Sequence, residues 1–281
     1  MRIGIVTDSA CDLPESVVNE FGIRIVPLYV NVGDDSWLDG VEISHKEFYE
    51  RLPAWSTPPT TSAPSPGRFV ETYEQLADEG ATCIISIHIS ASLSNTVNVA
   101  RLAAQGTDTI PVTVIDAGQL TLTMGLLVIE AAKAAATGAS REEIIQLLEE
   151  IGHRSYTFAA LNTLEFIRRS GRMSCFAYGL GTWLKIKPVL KMHQGNPAME
   201  KLRTSQHAQQ RVLDLVTNLG PLQHLSVVHT HAPQAAEELR HRAANLFPAQ
   251  QPSYTVEVTP VIGCHLGPGV LGFAAIAARK E

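Results

Sequence analysis

What this sequence has little of removes several classes of function before any motif is read. Cysteine is the first. Cys11, Cys83, Cys175 and Cys264 are the only four in 281 residues, they lie far apart, and no two form a C-x-x-C pair. That argues against a disulfide framework and against a zinc site, and predicts buried free thiols. Basic charge is the second: 22 Lys and Arg stand against 28 Asp and Glu, a net charge of −6, with no basic stripe. Phosphate backbones are bound by clustered cations, so nucleic acid is not an expected partner. Long apolar runs are the third. The most apolar stretch, Leu120 to Gly138, is interrupted by Glu130 and Lys133 and has helical spacing, which reads as a core-facing helix and not a membrane span. The N-terminal run in "MRIGIVTDSACDLP" is broken by Asp8, too soon for a secretory leader. The expected location is the cytoplasm.

Familiar catalytic signatures are missing as well. There is no G-x-x-x-x-G-K-[ST] phosphate loop and no G-x-S-x-G nucleophile elbow. Gly267-Pro268-Gly269-Val270-Leu271-Gly272 matches G-x-G-x-x-G literally, but only nine residues follow it. A dinucleotide fold needs a helix, a second strand and an acidic residue after the motif, so that reading fails on length. "GLGTWL" lacks the third glycine. His229 and His231 sit two apart in a strand and share a face. Without a third ligand they read as polar residues near a strand end, and no metal or other cofactor is expected.

What the chain does contain is an alternation of strand and helix. "RIGIVT", "IRIVPLYV", "TCIISIHI" and "VTVID" read as strands, with helical patterns between them. Alternation of this kind predicts a parallel sheet covered by helices. Ser140 to Glu143 is a capping box opening a helix. Beyond it the texture changes: "SYTFAAL", "AMEKLRT", "LSVVHTHA" and "YTVEVTPVIG" are strand-like. A domain boundary near residue 155 follows, giving an N-terminal domain 1–155 and a C-terminal domain 156–281.

The most polar junction is "SASLSNT", residues 90–96, between the strand "TCIISIHI" and a helix. Strand-to-helix turns are where open parallel sheets bind ligands, and hydroxyls beside a helix N-terminus suit a carboxylate or a phosphate. Thr60-Thr61-Ser62 is a second hydroxyl cluster ahead of a helix. Capping of the two helices and binding of an anion are both open on this chemistry. Arg172, in "RRSGRMS", and His265, beside the glycine-rich turn, add groups that bind oxyanions.

Together these segments resemble the DegV family of fatty-acid-binding proteins over essentially the whole chain. The carriers of the resemblance are "IVTDSACDLP", "TTSAPSPGRF", "SASLSNT", "LEFIRRSGRMS", "LKIKPVLKMHQG" and "VIGCHLGPGVLG". The resemblance implies an α/β protein of two domains: an N-terminal parallel sheet flanked by helices, and a second α/β domain with a mixed sheet. The ligand site lies between them. It implies a long-chain fatty acid, such as palmitate or oleate, in a buried tunnel. Matching motif to motif puts Thr61, Ser62, Ser94, Arg172 and His265 at the head group, with the backbone N–H of Asn95 beside them. It also implies a carrier and not an enzyme. The acid is presented to a separate ATP-dependent fatty acid kinase, and the acyl phosphate formed enters phospholipid synthesis. Arg203 matches a basic position expected at the kinase contact. Asn95, Ala63 and Ser170 depart from the family pattern of Gly, Gln and Gly; Asn95 is expected to bring a side chain toward the head-group pocket. The competing reading is an enzyme acting on acyl or phosphorylated substrates, an esterase or phosphatase.

Overall fold

The computed structural model describes residues 2–175 and 186–279. In chain order, β1 (Ile3–Asp8) and α1 (Glu15–Phe21) lead into β2 (Arg24–Val26), β3 (Tyr29–Val32) and β4 (Asp35–Leu38). Helix α2 (His45–Arg51), β5 (Thr60–Ser62), α3 (Pro66–Asp78) and β6 (Cys83–His88) follow, then α4 (Thr96–Gln105), β7 (Val112–Asp116), α5 (Thr121–Ala136) and α6 (Arg141–Gly152). The second half runs β8 (Ser155–Ala160), α7 (Glu165–Arg169), β9 (Lys187–His193), β10 (Asn196–Leu202), α8 (Ser205–Thr217), β11 (Leu222–His229), α9 (Pro233–Arg242), β12 (Thr255–Glu257), α10 (Pro260–Leu266) and β13 (Leu271–Ala277).

The first sheet has the order β2-β1-β6-β7 and is parallel throughout. Every residue of β1 and β6 is buried, which is why both read as continuous apolar runs and not as alternating ones. The second sheet is mixed, in the order β10-β9-β8-β13-β11-β12, with only β11 and β12 parallel. A small antiparallel sheet, β4-β3-β5, lies beside them. One apolar cluster runs from Ile87 and Leu127 of the N-terminal half to Ala159, Leu190 and Ile262 of the C-terminal half, so the two halves share a core. The long helix α5 is buried over most of its length and packs on β1, β6, β8, β11 and β13. The capping box of α6 is present in full, Ser140 and Glu143 each accepting the other's backbone N–H. Among the described residues no helix is long and apolar enough to cross a membrane. Cys11, Cys83 and Cys264 are free and buried; the Cys175 side chain and the "GLGTWL" segment lie outside the described residues.

Two expectations about local structure are corrected and a third, the hydroxyl cluster ahead of α3, gains a strand. "IRIVPLYV" is not one strand. It breaks between β2 and β3 at Pro27, which has no N–H for the ladder, and the halves join different sheets. Thr60–Ser62 is itself a strand, β5, paired with β3. "YTVEVTPVIG" is strand only as far as Glu257; Pro260 then opens α10 at its first helical position, so His265 sits on a helix.

Gly125 marks where α5 crosses closest to the turn after β1. A Cβ there would stand 2.4 Å from the Cys11 carbonyl oxygen, a backbone atom with little room to retreat. Gly125→Ala is therefore expected to cost about 2 kcal/mol of stability, read as a lower midpoint in urea unfolding with the slope unchanged.

Candidate functional site

The strands deliver their ends to one cavity. Ala10 follows β1 and Ile89 follows β6, so the cavity opens at the carboxyl edge of the parallel sheet. Its other walls are Leu28, Leu93, Leu120, Ile167, Leu190, Met192, Pro197, Val261, Ile262 and Leu266. Leu190 and Met192 show why sequence alone missed these walls and what signal existed: they alternate along β9, so both face the same side. The space between the walls is about 670 Å³ with the open mouth included, but the centre of a water molecule can occupy only about 60 Å³ of it. The shape is a narrow apolar slot and not a chamber.

Thr61, Ser94, Arg172 and His265 all line this slot. They come from four different places: β5, the turn before α4, the 3-10 turn Arg172–Cys175, and α10. Strand alternation explains Thr61. It pairs with the fully buried Val30 of β3 and faces inward, whereas its neighbours Thr60 and Ser62 are exposed. The Thr61 hydroxyl lies 3.0 Å from Nε2 of His265. Ser94 accepts the N–H of Thr96 at 3.3 Å and lies 2.8 Å from the Thr96 hydroxyl, so it caps the turn and faces the slot at once. Arg172 donates from Nη1 to the Ser170 carbonyl at 2.8 Å. Among the described residues it has no carboxylate partner.

Ser62 and Asn95 are not among the residues that line the slot. The Ser62 hydroxyl points away and accepts from Asn31 at 3.3 Å. The Asn95 side chain is exposed and accepts from Asn98, and its backbone sits at an ordinary φ of −81°. The side chain therefore does not enter the pocket. Arg203 is exposed on the turn between β10 and α8, away from the slot.

Burial dominates the electrostatics of His265. Burial first, and the neighbouring Arg172 charge second, hold the imidazole down at about 3. The ring is therefore neutral at physiological pH. Its Nδ1 is buried and finds no hydrogen-bond partner among the described residues. A buried polar atom without a partner, beside a guanidinium that meets no carboxylate among the described residues, is an environment that favours an anion.

A second polar group resembles a catalytic triad and is not one. His88 Nδ1 lies 3.0 Å from Asp8, His88 Nε2 lies 2.7 Å from Ser86, and Ser86 lies 2.9 Å from the Tyr73 hydroxyl. One proton order satisfies the chain: Tyr73 donates to Ser86, Ser86 to His88, and His88 to Asp8. All three triad-like residues are fully buried, so Ser86 has no route to a substrate. Asp8 also accepts from the Ala10 and Ile89 N–H groups, each at 3.0 Å, which fixes two pieces of the slot wall. His229 accepts from the Ala232 N–H at 3.3 Å, and His231 stacks on Tyr49 at 5.5 Å. Among the described residues no cluster of three or more His, Cys, Asp or Glu is arranged to hold a metal ion.

The state of His265 sets a pH dependence. Its folded value lies below the unfolded 6.5, so the unfolded chain takes up more protons in acid. The stability this ring contributes is complete above pH 6.5 and is lost as pH falls toward 3. Histidine NMR is expected to show a ring that stays neutral to below about pH 5, and His265→Gln to flatten the acid limb of the stability curve.

Comparison with known proteins gives a consistent result. A family model described as "Uncharacterised protein, DegV family" matches residues 2–278. A DegV domain-containing protein of Streptomyces coelicolor is 34% identical over 274 residues, covering 96% of this chain and 97% of that one. A solved structure described as fatty acid binding by a DegV family protein of Thermus thermophilus superposes with a TM-score of 0.88 at 33% identity, covering 99% of this chain and 100% of the other. DegV of Bacillus subtilis, described as a fatty acid binding protein, superposes with a TM-score of 0.89 at 30% identity over 99% and 100% of the two chains.

Proposed function

Since the chain belongs to the DegV family, we propose that it carries a long-chain fatty acid, with the tail in the apolar slot and the carboxylate among Thr61, Ser94, Arg172 and His265. One observation carries the reading: four donor-bearing side chains from distant parts of the chain line a cavity whose other walls are almost wholly apolar. Burying each methylene is worth about 0.8 kcal/mol, so roughly fourteen give on the order of 11 kcal/mol before association costs. The tail supplies affinity, and the donors offset the several kcal/mol that an unpaired buried carboxylate costs. Arg172 supplies the charge, the hydroxyls of Thr61 and Ser94 donate, and the free Nδ1 of His265 gains a partner when it carries the ring proton.

The carrier operates in the cytoplasm and hands its acid to a separate ATP-dependent kinase, which makes the acyl phosphate used in phospholipid synthesis. Arg203, on its exposed turn, is the proposed kinase contact. A hydrolase reading has one observation in its favour, the Thr61–His265 pair at 3.0 Å, which has the spacing of a nucleophile and its base. A ring held near 3 is a poor base at neutral pH, and among the described residues no carboxylate orients its Nδ1.

Protein purified from a bacterial host is expected to release acyl chains on denaturation, detected by mass spectrometry. A chain that arrives empty and ignores added palmitate and oleate contradicts the proposal. Ser94→Ala with Arg172→Ala is expected to weaken oleate binding by about 100-fold while the protein stays folded. Acyl phosphate turnover by the protein alone is expected to be nil; measurable turnover that Arg172→Ala abolishes would support the hydrolase instead. Arg203→Glu is expected to slow kinase-dependent phosphorylation and leave oleate affinity unchanged.

A further inference from the structure

Two aspartates outside the slot meet at a single threonine. Thr259 precedes α10; its N–H donates to Asp12 at 2.8 Å and its hydroxyl donates to Asp39 at 2.6 Å. Its carbonyl accepts the first helical N–H groups, from Ile262 and Gly263. Asp12 also accepts from the Thr121 hydroxyl. The Asp39 N–H donates to the Leu28 carbonyl at 2.9 Å. These contacts reach four pieces of the slot wall: Ala10 lies two residues before Asp12, Leu120 is next to Thr121, Leu28 is bonded directly, and Val261 stands in the first turn of α10. Thr121 itself is strained. A β-branched residue at φ +51° is a rare backbone state, kept only where its surroundings fix it, and the bond to Asp12 is one such restraint. Asp12 adopts the same left-handed region at φ 49°.

We propose that Asp12 and Asp39 are positioning residues for the slot, which hold α10, the start of α5 and the Leu28 segment in register through Thr259 and Thr121. The inference rests on the fatty acid reading only for the ligand used to test it. Both carboxyls are at most 7% exposed, and no lysine or arginine is among the residues lining the small cavity they share with Ser9, Cys11 and His45. Burial pushes Asp12 up to about 8 and Asp39 up to about 7, against which their hydrogen bonds work. The titratable neighbours are Asp8 behind the pair, Cys11 on the same turn, Tyr49 and His45 on α2, and Cys264 on α10. Among these groups only His45 can carry positive charge, and burial lowers its pKa, so nothing compensates a second negative charge. The sign follows: the folded values lie above the unfolded 3.8, so the pair favours the folded arrangement in acid and progressively less as pH rises through 7 to 8.

The test uses the full chain in two arms. The first measures the oleate dissociation rate between about pH 6 and about pH 9, where the wild type is expected to release oleate about fivefold faster at the alkaline end and Asp12→Asn and Asp39→Asn to change less than about twofold. Thr259→Val, which keeps the backbone N–H but loses the hydroxyl, is expected to release faster at every pH, and Thr259→Ser to follow the wild type. The second arm needs no ligand. Amide exchange in residues 261–266, corrected for its intrinsic pH dependence, is expected to speed up on alkalinisation in the wild type and not in Asp39→Asn. If Thr259→Val fails to fold, the two aspartate variants decide. Identical oleate and exchange profiles in wild type, Asp12→Asn and Asp39→Asn overturn the inference. A chain that takes up no oleate but shows the exchange difference overturns the carrier reading and leaves the positioning role standing.

Discussion

Buried polar groups must be satisfied, and in the wall of the slot the chain leaves part of that requirement open. Among the described residues Arg172 is answered by a carbonyl and by no carboxylate, and Nδ1 of His265 by no group. Apart from Thr61 and Ser94, the other residues lining the slot are apolar. A ligand that completes this arrangement needs an anionic oxygen pair at one end and hydrocarbon behind it. The same requirement fits the four separate origins of the polar residues that line the slot. No single loop can offer a hydroxyl, a guanidinium and an imidazole while also supplying a dry channel, so the fold brings the ends of several elements to one point.

The fold makes this possible through two sheets sharing one core. The parallel sheet presents its carboxyl edge, and the mixed sheet presents β9 and the approach to α10. Helix α10 is the connecting part. Its N-terminal joint is tied to Asp12 and Asp39, its middle passes so close to Tyr49 and Phe48 that a Cβ on Gly263 would stand 2.6 Å from the Tyr49 hydroxyl, and its end turns at Gly267 with φ 71° against Phe166. His265 therefore sits on an element gripped along its whole length, which suits a side chain that must meet Thr61 at hydrogen-bond distance.

The parts legible in the sequence are those set by local spacing. Alternating strands and helices, the Ser140 capping box and the polar turn around Ser94 all express short-range rules, and they appear where those rules put them. Other features depend on long-range pairing. Pro27 splits an apolar run that a strand pattern alone joins, and Thr61 faces inward only because β5 pairs with β3. The step from Glu257 into α10 turns on one proline after an apparent strand. Thr61, Ser94, Arg172 and His265 were matched through ordered motifs across the chain, because their convergence has no local signature. The joining of Asp12 and Asp39 at Thr259 had no local signal, although Asp12 lies in the "IVTDSACDLP" motif: their bonds close loops of 247 and 220 residues.

The central claim is that an ionised carboxylate is held by these donors at the end of a dry hydrocarbon slot. Carbon NMR of carboxyl-labelled palmitate bound to the protein reads that group directly. The account predicts one slowly exchanging resonance at the position of an ionised carboxylate, which stays there as pH falls below about 5 because Arg172 and the hydroxyls favour the charged form. A bound resonance that titrates like the acid in a detergent micelle, unchanged by Arg172→Ala, would contradict it.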